Sequence, residues 1–182
     1  ILGFCGLLDF GRSAFVGIGT YSFALLMTKV TGVPWFVGFI GAGLFTALLG
    51  WLVGCFLRRT SFDYLTLLTI GIVEIVRLFL VNCTSITNGA MGINGVPKPS
   101  FFGLKITSHA QFFYFSLILL IVCYLLIDRL TKSYKGRAMM AIRDDEIAAA
   151  FSAINIPKYK AFCFGIASFF TGLGGAAMVS YT

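Results

Sequence analysis

Charge is scarce in this sequence: only 12% of its 182 residues are Asp, Glu, Lys or Arg, whereas 58% are hydrophobic. A soluble domain normally carries about 25% charged residues, so a chain this apolar cannot cover its surface in water. Histidine occurs once, and the five cysteines form no C-x-x-C pair, which argues against a metal site and against a disulfide framework. The sequence also lacks a nucleophile–base pair and a phosphate-binding loop, so nothing in it indicates an enzyme.

Long apolar runs dominate the chain, and in lipid such runs must be helices because the backbone has to satisfy its own hydrogen bonds. A shorter run, residues 14–27, is too short for an untilted crossing. It either extends through Lys29 with a snorkelling side chain, or is a broken or re-entrant helix. We therefore predict an all-α, polytopic transmembrane helix bundle that forms one domain over residues 1–182. The four clear spans are Trp35–Leu57, 62–81, 112–127 and 161–181.

The net charge of +7 does not indicate nucleic-acid binding, because the basic residues flank the apolar runs, as the positive-inside rule produces. Residues 128–160 hold seven Lys or Arg, and residues 82–110 hold two. We therefore predict a cytoplasmic loop at 128–160 and an outer loop at 82–110. Gly, Asn and Pro make the outer loop compact and irregular rather than another span. The chain starts without Met and stops inside an apolar run, so we expect a fragment of a longer protein.

Three charges lie within the second clear span. At 100° per residue, Asp63, Glu74 and Arg77 share one stripe of the helix. Each charge at mid-membrane costs about 2.5–3.5 kcal/mol, so the stripe must face protein or a water-filled cavity. Glu74 and Arg77 are three residues apart and can pair. The stripe is then either a structural ion pair that fixes helix packing or part of a translocation path.

The basic loop contains a second pattern of interest. Asp144 is an expected N-cap, and the acidic residues after it complement a helix dipole. Ile147, Phe151 and Ile154 follow at helical spacing and give a short amphipathic helix with an apolar ridge. This ridge either packs on its own membrane domain or docks into a cytoplasmic subunit.

Taken together, several motifs in register resemble those of branched-chain amino acid ABC transporter permeases, and within that family the LivM-type subunit. The resemblance runs in order over nearly the whole chain. It departs from the family at Ala153, where the family usually has Gly, and at Asp9 and Arg12. The motifs are residues 6–11 (GLLDFG) and 14–21 (AFVGIGTY), 63–65 (DYL), 69–71 (TIG) and 74–78 (EIVRL), 87–89 (TNG) and 92–97 (GINGVP), and 136–137 (GR), 141–149 (AIRDDEIAA), 154–156 (INI) and 159–160 (YK).

The resemblance implies a multi-pass subunit of the bacterial inner membrane that translocates branched-chain amino acids in an ATP-driven importer. The implied partners are a sister permease subunit, two cytoplasmic ATPase subunits and a periplasmic substrate-binding protein. ATP and Mg²⁺ would be bound by the ATPase subunits, so this chain is expected to bind no cofactor and no metal. The implied ATPase-coupling residues are Gly136, Arg137, Arg143, Asp145, Glu146, Ala148, Ala149 and Ala153.

Two alternatives stay open at this point. The same ABC machinery can carry urea or short amides, because related permeases differ in their cavity lining. An ion-coupled secondary transporter with Glu74 as its proton or cation site belongs to a different class, as does a purely structural membrane subunit. The ion-coupled alternative leaves the ordered motif in the basic loop unexplained.

Overall fold

The computed structural model describes residues 6, 9–30, 32–57, 62–93, 95–96, 100–101, 104–105 and 108–181. Within these residues the chain is almost entirely helical, as predicted, and its two strands are two residues long. The elements in chain order are α1 (Arg12–Lys29), α2 (Trp35–Leu57), α3 (Phe62–Asn82), α4 (Thr84–Thr87), a 3-10 turn (Gly89–Met91), β1 (Ser100–Phe101), β2 (Leu104–Lys105), α5 (His109–Lys132), α6 (Tyr134–Asp144), α7 (Glu146–Phe151) and α8 (Ile156–Tyr181).

In the part of the chain that the structure describes, four helices are long and apolar enough to cross a membrane, and each contains one of the predicted spans. Two of them are longer than predicted, because α5 runs on to Lys132 and α8 starts at Ile156. The extra turns contain charged and polar residues, so apolar runs in the sequence did not indicate them. Helix α1 is unbroken from Arg12 through Lys29, which excludes a break within residues 14–27, and its 18 residues are about 27 Å long.

Helices α1, α2 and α8 form the tightly packed part of the bundle. A Cβ on Gly19 would lie 2.5 Å from the Cα of Gly172, so α1 and α8 touch backbone to backbone. Gly54 also brings α2 close to α8, because a Cβ at this position would lie 2.9 Å from the Cα of Ala161. Small residues allow such close approach between membrane helices, and van der Waals contact then holds them together.

The bundle has two ends with different side chains. At the end that we call the opposite end, Trp35 stacks on Phe39 and donates its indole N–H to Ser180 at 3.3 Å. At the other end, which we call the basic end, Leu57, Met139 and Phe164 belong to one buried cluster. The basic end is thus where α6 packs onto the spans, and it carries the residues of the basic loop.

Helices α3 and α5 are loosely attached to this core. Among the described side chains of α3, only Leu65 and Thr69 are buried, and α5 has no buried residue. The ring of Phe115 meets that of Trp35 and the ring of Phe112 meets that of Tyr181, so α5 touches the core near the opposite end. These two helices therefore present most of their apolar surface outward from the chain.

In its described part, the loop between α3 and α5 contains short elements and no further membrane span, as predicted. Asn88 and Gly89 adopt the left-handed conformation with φ of 61° and 60°, which Asn and Gly tolerate best. The sequence did not predict the small antiparallel pair in which Ser100 lies opposite Lys105.

Candidate coupling segment

The corner between α5 and α6 is built by the Gly136–Arg137 motif. Ser133 caps α6, its hydroxyl accepting from the Gly136 N–H at 3.2 Å. A Cβ on Gly136 would overlap the carbonyl oxygens of Leu130 and Thr131, so the close approach of the two helices requires glycine here. Arg137 donates from Nη1 to the Lys132 carbonyl at 2.9 Å, which satisfies the end of α5. Both motif residues therefore hold the turn.

Helix α6 fastens the segment to the bundle. Met139 and Ile142 are three residues apart and both buried, with Met139 in the cluster formed by Leu57 and Phe164. This helix was not predicted from the sequence because it contains no long apolar run. The signals available were the Ser133 cap and the spacing of the two buried residues.

Helix α7 begins one residue later than the sequence analysis predicted. Asp145, and not Asp144, is its N-cap: its Oδ1 accepts from the N–H of Ile147 at 2.8 Å and of Ala148 at 3.0 Å. Asp144 ends α6 and accepts instead from the Arg143 guanidinium at 2.8 Å. The prediction was wrong because α6 uses Asp144 in its own last turn, which leaves the extended Asp145 to start the next helix.

An ion pair ties α7 to α8. The Lys160 ammonium donates to Glu146 Oε1 at 2.7 Å, and the Lys160 side chain is only 6% exposed. Removing Glu146 would leave a buried cation with one hydrogen bond fewer, at a cost of about 1–3 kcal/mol. Glu146 therefore connects the start of α7 to the second turn of α8, a candidate membrane span.

The two faces of α7 differ in burial. Ala149 is buried against the rest of the chain, whereas Ala148 is exposed. Ile147 is 72% exposed and Phe151 is 88% exposed, so the predicted apolar ridge does not pack on its own membrane domain within the described residues. Ile154 at the end of the ridge is half-buried. Two large apolar side chains thus project outward from an anchored helix, which favours the docking alternative.

Helix α7 ends in a Schellman motif centred on Ala153. The Ile154 N–H donates to the Ala149 carbonyl at 3.2 Å, and the Ala153 N–H donates to Ala150 at 3.2 Å. Ala153 takes the left-handed conformation with φ of 59°, at the position where helices usually carry glycine. The departure of this chain from the family pattern therefore falls at a position where glycine, which has no Cβ, would relieve strain.

We expect Ala153→Gly to stabilise the protein by about 1 kcal/mol, because a non-glycine residue in this conformation costs about 1–2 kcal/mol and glycine loses more entropy on folding. The matched control is Ala150→Gly, in the body of α7, which should destabilise it by about 0.5–1 kcal/mol. Thermal unfolding of the purified full-length protein measures both. A lower melting temperature for Ala153→Gly would contradict the assignment of this cap.

The charged stripe of α3 is only partly described. Arg77 donates from Nε to Glu74 Oε2 at 3.0 Å and from Nη2 to Oε1 at 2.5 Å, which confirms the predicted pairing. The side chains of Arg77 and Glu74 are 60% and 54% exposed. The Asp63 side chain lies outside the described residues. The pair is therefore made within α3 and faces outward from this chain.

Another charged pair, which was not predicted from the sequence, lies at the start of α1. Asp9 accepts from the Gly11 N–H at 2.7 Å and from Arg12 Nε at 2.7 Å. The Arg12 guanidinium lies 5.7 Å from the ring centroids of both Phe15 and Phe164. The available signal was an Asp and an Arg three residues apart beside an apolar run. The pair fixes the start of α1 against α8.

Comparison with known proteins identifies the family of this chain. It is 35% identical to the high-affinity branched-chain amino acid transport system permease protein LivM of Escherichia coli K12 and to its counterpart of Salmonella typhimurium LT2. Each match covers 96% of this chain and 46% of the relative, so the chain spans about half the length of these relatives. No solved structure matches. The family model of the branched-chain amino acid transport system permease component matches residues 1–182, and the chain belongs to that family as a multi-pass membrane protein.

Proposed function

We propose that this chain is the membrane-spanning permease subunit of an ATP-driven importer that moves branched-chain amino acids across the bacterial inner membrane. The observation that carries the proposal is the family match over residues 1–182. The 35% identity to two LivM permeases supports leucine, isoleucine and valine as the cargo. The chemistry of ATP hydrolysis belongs to partner subunits in this proposal, with ATP and Mg²⁺ bound there.

The exposed ridge of α7 supports the ATP-driven part of the proposal. In this assignment the basic end faces the cytoplasm, and an ATPase subunit covers Ile147 and Phe151. Gly136, Arg137 and Met139 hold the segment on the bundle, so a push on α7 is transmitted instead of being absorbed by a flexible loop. A sister permease subunit and a periplasmic substrate-binding protein complete the proposed assembly.

The structure supports a specific route for that movement. A displacement of α7 reaches α8 through Glu146 and Lys160, at 2.7 Å. Helix α8 packs closely against α1 and α2 at glycine contacts, so these three helices should move as one body. Helices α3 and α5 have few buried residues. The body formed by α1, α2 and α8 would therefore move relative to these two helices. Rocking of this kind opens a central cavity alternately to each side.

Reconstitution of the full-length protein with its neighbouring subunits tests the cargo and the energy source together. We expect uptake of labelled leucine that stops when ATP is depleted and persists when an uncoupler collapses the ion gradients. Labelled urea in parallel vesicles should not accumulate. Uptake of urea but not of leucine would mean that the cargo is urea and not a branched-chain amino acid. Uptake that survives ATP depletion but not the uncoupler would point to an ion-coupled transporter.

A further inference from the structure

An apolar groove opens on the surface of the bundle between α2, α5 and α8. It encloses about 540 Å³. Within the described residues every lining side chain is apolar or aromatic, and Leu48, Trp51 and Leu126 are about half exposed. The groove exists because α5 stands away from α8 while α2 is drawn onto α8 by glycine contacts. Its lining residues are Ala47, Leu48, Trp51, Leu126, Leu130, Phe162, Gly165, Ile166, Phe169 and Phe170.

The groove lies at a defined depth in the membrane. Trp51, Leu126 and Phe162 are each six residues from the basic-end terminus of their helix, which corresponds to about 9 Å along the axis. The deepest lining residue, Phe170, is about 21 Å from the start of α8. Because the hydrocarbon core is about 30 Å thick, the groove lies largely within the leaflet at the basic end. A void of this kind next to lipid is filled by chains of matching polarity.

A cation marks the mouth of the groove. The Lys135 ammonium lies 4.7 Å from the ring centroid of Phe162, which lines the groove, so the charge is held at its basic-end entrance by a cation–π contact. Lys135 is exposed and lies in the first turn of α6, beyond the end of α5. A wholly apolar slot with a positive charge at headgroup level is complementary to one molecule that has both an acyl chain and a negative headgroup.

We propose that this groove binds an anionic phospholipid, with one acyl chain between α2, α5 and α8 and the phosphate headgroup against Lys135. The lipid fills the gap that α5 leaves beside α8. The site is separate from the exposed ridge of α7 and does not depend on which cargo the importer carries. A partner helix that filled the same slot would leave no room for the acyl chain.

Quenching of Trp51 fluorescence by brominated acyl chains tests the site directly. The full-length protein with its neighbouring subunits is placed in phosphatidylcholine bilayers, which are titrated with brominated phosphatidylglycerol or brominated phosphatidylcholine. Subtracting the signal of a Trp51→Phe variant isolates the contribution of Trp51. We expect half-maximal quenching at a clearly lower fraction of the anionic lipid than of the zwitterionic lipid.

Removing the cation separates the proposed site from general lipid contact. Lys135→Gln should raise the half-quenching fraction of phosphatidylglycerol about fivefold, since one lysine near the surface contributes about 1 kcal/mol to anionic lipid binding. Lys132→Gln is the control for general surface charge: Lys132 lies on the side of α5 turned away from Leu126 and Leu130 and already pairs with Asp128 at 2.7 Å, so its replacement should change the half-quenching fraction much less. Equal quenching by both lipids, an unaffected Lys135→Gln, or no quenching because protein covers the groove would each overturn the proposal.

Discussion

Replacing Phe151 by Asp should lower ATP-driven uptake by about thirtyfold or more and prevent the ATPase subunit from co-purifying with the full-length permease. Aromatic side chains that enter a partner's pocket contribute about 2 kcal/mol or more to an interface. Phe151 is 88% exposed in this chain, so the substitution leaves no cavity and should not unfold the permease. Labelled-leucine uptake and the amount of co-purified ATPase are the two measurements.

The control for Phe151→Asp is Tyr134→Asp, which places the same charge at the start of α6. Tyr134 is 73% exposed, and an acidic residue is favourable in the first turn of a helix. Uptake and co-purification should therefore stay close to those of the unmodified protein. Equal losses in the two variants would mean that added negative charge near the basic end, rather than loss of the ridge, causes the effect.

The ion pair between Glu146 of α7 and Lys160 of α8 can be tested in the same assay. Glu146→Lys keeps the exposed ridge but brings a second cation next to Lys160, which is buried. Helix α7 then loses its fixed orientation, so both uptake and ATPase retention should fall. Exchanging the two charges in a Glu146→Lys, Lys160→Glu double variant should recover part of the loss. An unchanged amount of bound ATPase in the Glu146→Lys sample would count against docking at this helix.

The membrane spans were predictable because their signal is local. A long apolar run has to be helical in lipid, whichever helices surround it. Helix α6 was not predictable in this way, because its stability comes from the contacts of Met139 and Ile142 with the bundle. The ends of α5 and α8 were missed for a related reason, since charged residues continue a helix beyond the apolar core of the membrane.

In the candidate site, too, local contacts were predictable from the sequence and contacts between elements were not. The pairing of Glu74 with Arg77 follows from their spacing of three residues on one helix. The contact between Glu146 and Lys160 does not, because it depends on how the chain reverses between α7 and α8. Ala153 produces that reversal by adopting the left-handed conformation, which cannot be predicted from an alanine in the sequence. Local rules therefore predicted the pairing of Glu74 with Arg77 and the apolar ridge of α7, but neither the exposure of that ridge nor the connection from α7 to α8.

Glu74→Gln is expected to lower the yield of assembled transporter by at least about tenfold. Glu74 lies about 18 Å from the start of α3 and about 12 Å from its end, close to mid-membrane. Removing its charge leaves Arg77, about 7.5 Å from the end of α3, as a lone cation, and a lone charge costs up to about 2.5–3.5 kcal/mol within the membrane. The measurement is the amount of complex recovered from membranes with the sister subunit.

The control for this variant uses a neighbouring residue of α3. Ile75 is also well exposed, so Ile75→Gln introduces the same amide at the same depth without leaving an unpaired charge. Its effect on assembly should be much smaller. If Ile75→Gln and Glu74→Gln lower the yield equally, the loss comes from a polar group in lipid and not from the broken pair.

A double variant, Glu74→Gln with Arg77→Gln, distinguishes the two roles that the sequence left open for the pair. Assembly should recover, because neither a cation nor an anion then stands alone. A pair that served only to pack this chain's own helices would lie between them, yet both side chains are more than half exposed. We therefore expect leucine uptake to stay low after assembly recovers, as it should if the charges face a path or a partner surface that moves during transport. Full recovery of uptake would instead assign the pair to packing, and wild-type behaviour of Glu74→Gln in both assays would remove the case for either role.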